Sequence, residues 1–137
     1  MKKALSLILV LVMCLSLCAC GGEKKVKKEL IQRPWSYEEM VKTTYEDGSS
    51  ISTREVTEYN FSNSGTVGYY HSVDCYYIGG QSNISKEKKN GTYTIEKDEI
   101  IISYDDGKDT ILKYEYNNGE LKIYQKLFDG TVIYFTT

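Results

Sequence analysis

The hydrophobic pattern of the chain changes character twice. Residues 4–19 are almost wholly apolar, broken only by Ser6 and Ser16, and residues 21–33 are polar and basic. From residue 34 onward, apolar and polar positions alternate. Ile51, Thr53, Glu55, Thr57, Tyr59 and Phe61 share one parity, as do Val67, Tyr69, His71, Val73, Cys75 and Tyr77. Leu112, Tyr114 and Tyr116 repeat the pattern, and Leu121 and Ile123 oppose Lys122, Tyr124 and Lys126. Side chains along a strand point alternately to the two faces, so this period of two predicts strands with one buried and one wet face, paired antiparallel.

Turn dipeptides punctuate the alternation at Asp47-Gly48, Ser64-Gly65, Asn90-Gly91, Asp106-Gly107, Asn118-Gly119 and Asp129-Gly130. Such pairs accept the positive φ of tight hairpins. The predicted strands are 34–45, 51–61, 66–78, 91–96, 99–104, 109–116, 120–126 and 131–136, with a helix possible only around 36–42. Residues 79–90 read as a long polar connection, suited to be a lid. The expected architecture is all-β, an eight-stranded antiparallel up-and-down meander closing as a barrel over residues 34–137.

The apolar block at the start is 16 residues behind Lys2 and Lys3, short of the roughly 20 needed to span a bilayer. It has the layout of an export signal. Leu17-Cys18-Ala19-Cys20 resembles the lipobox of bacterial lipoproteins. The resemblance implies cleavage between Ala19 and Cys20, a diacylglyceryl group on the Cys20 thiol, and a place on the extracytoplasmic face of the cell membrane. The chain then divides into a signal (1–19), a lipidated cysteine with a basic linker (20–33) and the β body. Cys14 and Cys18 leave with the signal, so Cys75 is the sole unmodified thiol and the body is expected to fold without an intramolecular disulfide.

Charge separates linker from body. Residues 21–33 carry Lys24, Lys25, Lys27, Lys28 and Arg33 against Glu23 and Glu29, a net of +3, whereas residues 34–137 carry a net of −7. A basic tether suits anionic headgroups, or is simply a solvated spacer reaching roughly 45 Å when extended. The acidic body and extracytoplasmic address both disfavour nucleic acid.

The meander opens on Trp35 and carries Tyr59-Asn60-Phe61, Gly65-Thr66-Val67 and Gly91-Thr92-Tyr93-Thr94-Ile95. With the lipobox, this texture resembles the lipocalin-like small lipoproteins of bacteria. True lipocalins place a Gly two residues before the first-strand Trp, where this chain has Arg33.

Candidate chemistry is sparse. His71 is the lone histidine, four residues from Cys75 on the same strand face and roughly 13 Å away, too far to share a metal ion. It reads best as an interior or rim histidine, and Cys75 as a core residue. Asp105, Asp106 and Asp109 offer carboxylates for Ca²⁺, but their place between two strands suits a hairpin turn. Glu55 shares a face with Ile51, Tyr59 and Phe61: either it orients a ligand at a barrel mouth, or a bulge turns it into water, the simpler reading. Tyr70, Tyr76 and Tyr124 are candidates for an adhesive or sugar-binding outer surface among 13 tyrosines.

Ten rings are expected to point inward: Trp35, Tyr37, Tyr59, Phe61, Tyr69, Tyr93, Tyr104, Tyr114, Tyr116 and Phe135. An eight-stranded barrel is just wide enough for side chains or one small ligand. The resulting expectation is a membrane-anchored barrel binding a small apolar or amphipathic ligand through Glu55, Tyr69, His71 and Tyr114. The alternative is a filled barrel meeting an envelope protein or glycan. With no legible nucleophile–base pair or metal cluster, neither enzymatic activity nor a cofactor is expected.

Overall fold

The computed structural model describes residues 22–137; the expected signal, Ala19 and the lipidation candidate Cys20 lie outside the described residues. Residues 22–30 form helix α1. Eight strands follow: β1 (Trp35–Thr44), β2 (Ser50–Phe61), β3 (Thr66–Tyr77), β4 (Gly80–Glu96), β5 (Glu99–Tyr104), β6 (Asp109–Asn117), β7 (Glu120–Lys126) and β8 (Val132–Phe135). Each pairs antiparallel with the next, in the order β1 to β8. The ring meets at one point, where the N–H groups of Ser36 and Thr136 donate to each other's carbonyls at 2.7 and 2.8 Å. The body is therefore a nearly closed up-and-down barrel, as the alternation predicted.

Turn chemistry sets the hairpins. Asn118 and Gly119, between β6 and β7, both have positive φ (52° and 85°), as a two-residue type I′ turn requires. Asn90-Gly91 departs from the expectation. It is no turn but the middle of β4, and Gly91 is needed there for a different reason: a Cβ would stand 2.4 Å from the Ser103 carbonyl oxygen.

Residues 79–90 likewise form no lid. From Gly80 they extend β4 along β3, from the Tyr77↔Gly80 pair to Thr66↔Thr92, with a register shift at Val73/Asp74. The segment is polar because it buries little; the long free edge of β3 supplies its hydrogen bonds. β5 reaches β4 only over Gly91–Glu96. The far halves of β1 to β4 consequently rise above the barrel rim as a four-stranded extension.

The basic linker is not an extended spacer. Val26 and Leu30, spaced one helical turn apart, are buried in the core, while Lys24, Lys25 and Lys28 stay exposed. The Trp35 indole N–H donates to the Leu30 carbonyl at 3.0 Å, satisfying one of the acceptors that a helix C-terminus leaves open. Helix α1 thus plugs one end of the barrel, beside Gly65, Tyr93 and Ile95.

Above the plug the interior is filled. Ile100, Ile102, Leu112 and Ile123 are inaccessible to solvent. All ten rings expected inside belong to the core or pack on it: Tyr37, Tyr69, Tyr114 and Tyr116 lie against it, and the other six are within it. Among the described residues the core is one continuous cluster running from Val26 to Phe135. Among the described residues no helix is long and apolar enough to cross a membrane.

Candidate functional site

The end opposite the plug is open. Its cavity of about 540 Å³ is bordered by inner-face residues of β1 to β8 and by the β7–β8 turn. The floor is aromatic. Tyr59 and Tyr69 lie 5.4 Å apart, Tyr69 and Tyr104 meet edge to face at 5.7 Å, and Tyr59 stands on Phe135 at 5.2 Å. Such tilted and edge-on contacts suit the ring quadrupoles. Burial pushes the Tyr69 hydroxyl up to about 12 and the Tyr59 hydroxyl well above the ordinary tyrosine range, so both remain protonated donors at neutral pH.

The wall from β1 to β3 is polar. The Tyr37 hydroxyl donates to Glu39 Oε2 at 2.9 Å, a bond that raises its own pKa. Glu39 stands directly opposite Glu55 in the β1–β2 register. His71 Nδ1 lies 3.1 Å from Thr57 Oγ1 and 4.0 Å from Glu55 Oε1. On the β4 side, Lys89 Nζ sits 3.1 Å from Glu87 and 3.4 Å from Asp106, over the rings of Tyr104 (5.3 Å) and Tyr69 (5.9 Å). The Glu87 carboxylate above all, with Asp106, holds the Lys89 ammonium charged.

Three of the four ligand candidates from the sequence therefore meet here: Glu55, Tyr69 and His71. Glu55 reaches water, though not through a bulge. β2 keeps unbroken register with both neighbours, and the carboxylate stays on the inner face, half-exposed because it lies above the filled core. Tyr114 is not part of the site; its hydroxyl donates to the Glu96 carbonyl at 2.9 Å, apart from the mouth-lining residues.

Glu39 and Lys89 are members that the sequence reading missed. Glu39 shares parity with Trp35 and Tyr37 and was readable in principle, but Lys89 was hidden in a segment read as a loop. The rim adds Leu127, Asp129 and Thr131, beside a fully exposed Phe128.

The other candidates resolve locally. Asp106 Oδ1 accepts the Lys108 backbone N–H at 3.1 Å, closing the β5–β6 turn. No group of three His, Cys, Asp or Glu side chains among the described residues is placed to hold a metal ion. Tyr70 and Tyr76 lie on β3 and Tyr124 on β7, with three strands between. Cys75 is half-buried on the inner side of the extension. A larger cleft of about 640 Å³ lies by the end of α1, lined by Glu29, Arg33, Trp35 and residues of β6 to β8, and holds none of the sequence candidates.

Comparison with protein-family models and with curated proteins finds no match for this chain.

Proposed function

We propose that the protein is a lipid-anchored, extracytoplasmic barrel that binds a small amphipathic ligand in its open mouth. The observation that carries this reading is the 540 Å³ cavity with an aromatic floor and a polar wall. Its size is within the range of small-molecule sites, which pair apolar linings with a few placed polar groups. The tyrosine floor and the exposed Leu127 and Phe128 at the rim suit an apolar tail, and Glu39, Glu55, Thr57 and His71 suit a polar head.

Residue 22, the first described residue of α1, is two positions from Cys20 in the chain, so their Cα atoms lie within roughly 7 Å of one another. The plugged end would then rest at the bilayer with Lys24, Lys25 and Lys28 near the headgroups, and the mouth would face away. Labelling with a fatty-acid analogue tests the anchor: incorporation abolished by Cys20→Ala is expected, and retained label refutes it.

For the binding site, residues 22–137 are titrated with an alkyl maltoside below its micellar concentration and followed by amide NMR. Shifts are expected at Thr57, Tyr69, His71 and Leu127. Shifts confined to the Asn118-Gly119 turn, or none at all, refute the site.

A second reading, contact with an envelope protein, is favoured by the tip of the extension. There Tyr45, Tyr77 and Ile78 are exposed together with the two turns that end β1–β2 and β3–β4. Substituting Ile78 and Tyr77 by Ser is expected to abolish recovery of a specific partner by cross-linking in native envelopes, and unchanged recovery refutes this reading.

A further inference from the structure

Resting on the ligand-binding reading, we propose that the polar head of the ligand is an organic cation, an ammonium or guanidinium group carried on an apolar body. The site is the cavity and its tyrosine floor; the surrounding charges decide which head it accepts.

Two inner-face carboxylates, Glu39 and Glu55, are directly opposed across β1 and β2. Like charges in that position repel one another. Among the described residues neither has a lysine or arginine partner: Glu39 accepts from the Tyr37 hydroxyl, and Glu55 has His71 Nδ1 at 4.0 Å. The same hairpin treats its outer face differently, since Glu38 there is gripped by Arg54 through two bonds of 2.7 and 2.8 Å. The inner pair thus leaves a local negative field on a concave wall that water reaches.

The mouth's one lysine does not offset it. Lys89 is engaged by Glu87 and Asp106, and Asp129 adds a further carboxylate at the rim. The floor points the same way. A tyrosine face attracts cations, and the Lys89 ammonium already lies over Tyr104 and Tyr69 at cation–π distances. An anionic head would meet the opposed Glu39 and Glu55 carboxylates on the β1–β2 wall. A bare metal ion would find a wide cavity and, among the described residues, no cluster of three His, Cys, Asp or Glu side chains placed to hold it. A bulky cation with delocalised or alkylated charge satisfies both wall and floor.

The test uses calorimetry on residues 22–137 at low salt with three ligands of equal tail, all below their micellar concentrations: dodecyltrimethylammonium, dodecyl sulfate and dodecyl maltoside. The cation is expected to bind at least about ten-fold more tightly than the other two. In Glu39→Gln/Glu55→Gln that advantage should vanish while maltoside binding is kept; in Glu58→Gln, a carboxylate of the outer face, it should persist. Removing a repelling pair should leave the thermal midpoint unchanged or raised, so loss of fold does not confound the result.

Equal or tighter binding of the sulfate or the maltoside overturns the cation while leaving a ligand site. Failure of all three to bind overturns the site as well. Displacement of the cation by equimolar Ca²⁺ overturns the organic-cation assignment in favour of simple counterion binding.

Discussion

Leu30→Ala tests whether α1 is a structural plug or an appendage. Leu30 is wholly inaccessible to solvent and shares its helix face with Val26, which is 2% exposed. The nine described residues of α1 would not hold a helix alone in water, and within them its docking rests on these two side chains and on Ile31 packed beside them. Truncation of a buried leucine to alanine costs about 2–5 kcal/mol, the spread reflecting how far the site collapses. A terminal helix can settle toward the gap, so the lower part of that range applies, about 2–3 kcal/mol.

The assay is urea unfolding of residues 22–137 followed by the fluorescence of Trp35, the only tryptophan. Trp35 is buried and bonded to the Leu30 carbonyl, so loosening of the plug should also shift its emission to the red in the folded protein. Lys28→Ala, on the exposed side of the helix, should change neither signal. A loss of stability below about 0.5 kcal/mol, of the size expected for a surface change, with unshifted emission, would refute the plug.

Two further outcomes follow from the barrel wall. Gly91→Ala puts a methyl group 2.4 Å from the Ser103 carbonyl oxygen, a backbone atom that cannot swing away, and should destabilise by about 2 kcal/mol or more; a change under 0.5 kcal/mol in the urea midpoint analysis would show that β4 and β5 are not so close. Alkali should weaken the fold. Below the ordinary tyrosine pKa of 10.0 folded and unfolded chains hold the same tyrosine protons, whereas above it the unfolded chain releases protons that buried Tyr69 keeps to about 12 and Tyr59 keeps beyond. Stability should therefore fall from about pH 10 upward, less steeply in Tyr69→Phe, and a urea midpoint flat between those limits would contradict the burial of the floor.

The mouth shows where local reading stops. Tyr69 and His71 were identifiable as inner-face residues because parity along one strand places them there. Their meeting with Lys89 needs the pairing of β3 with the polar half of β4, where Gly80, Ser82, Ser85, Lys86 and Lys88 have poor strand propensity. Parity puts Glu55 on the inner face, and the simpler reading, a bulge that turns it into water, does not hold: β2 keeps its register and solvent enters through an unfilled end. Tyr114 has the right parity and the wrong height: the same inner face runs from plug to mouth, and parity carries no information about distance along the axis.

The sequence by itself determined that eight strands form, that they pair in order, and which rings face inward, because these depend on a period of two and on turn residues that act over a few positions. Tertiary structure alone decided the rest. It turned a basic linker into a plug through two apolar residues among lysines, because a short helix is stable only against a surface that covers it. It made residues 80–90 a strand because an unpaired edge was available. It also filled one half of the barrel and left the other open, an outcome set by the summed volume of inward side chains and by strand lengths that differ between β1–β4 and β5–β8.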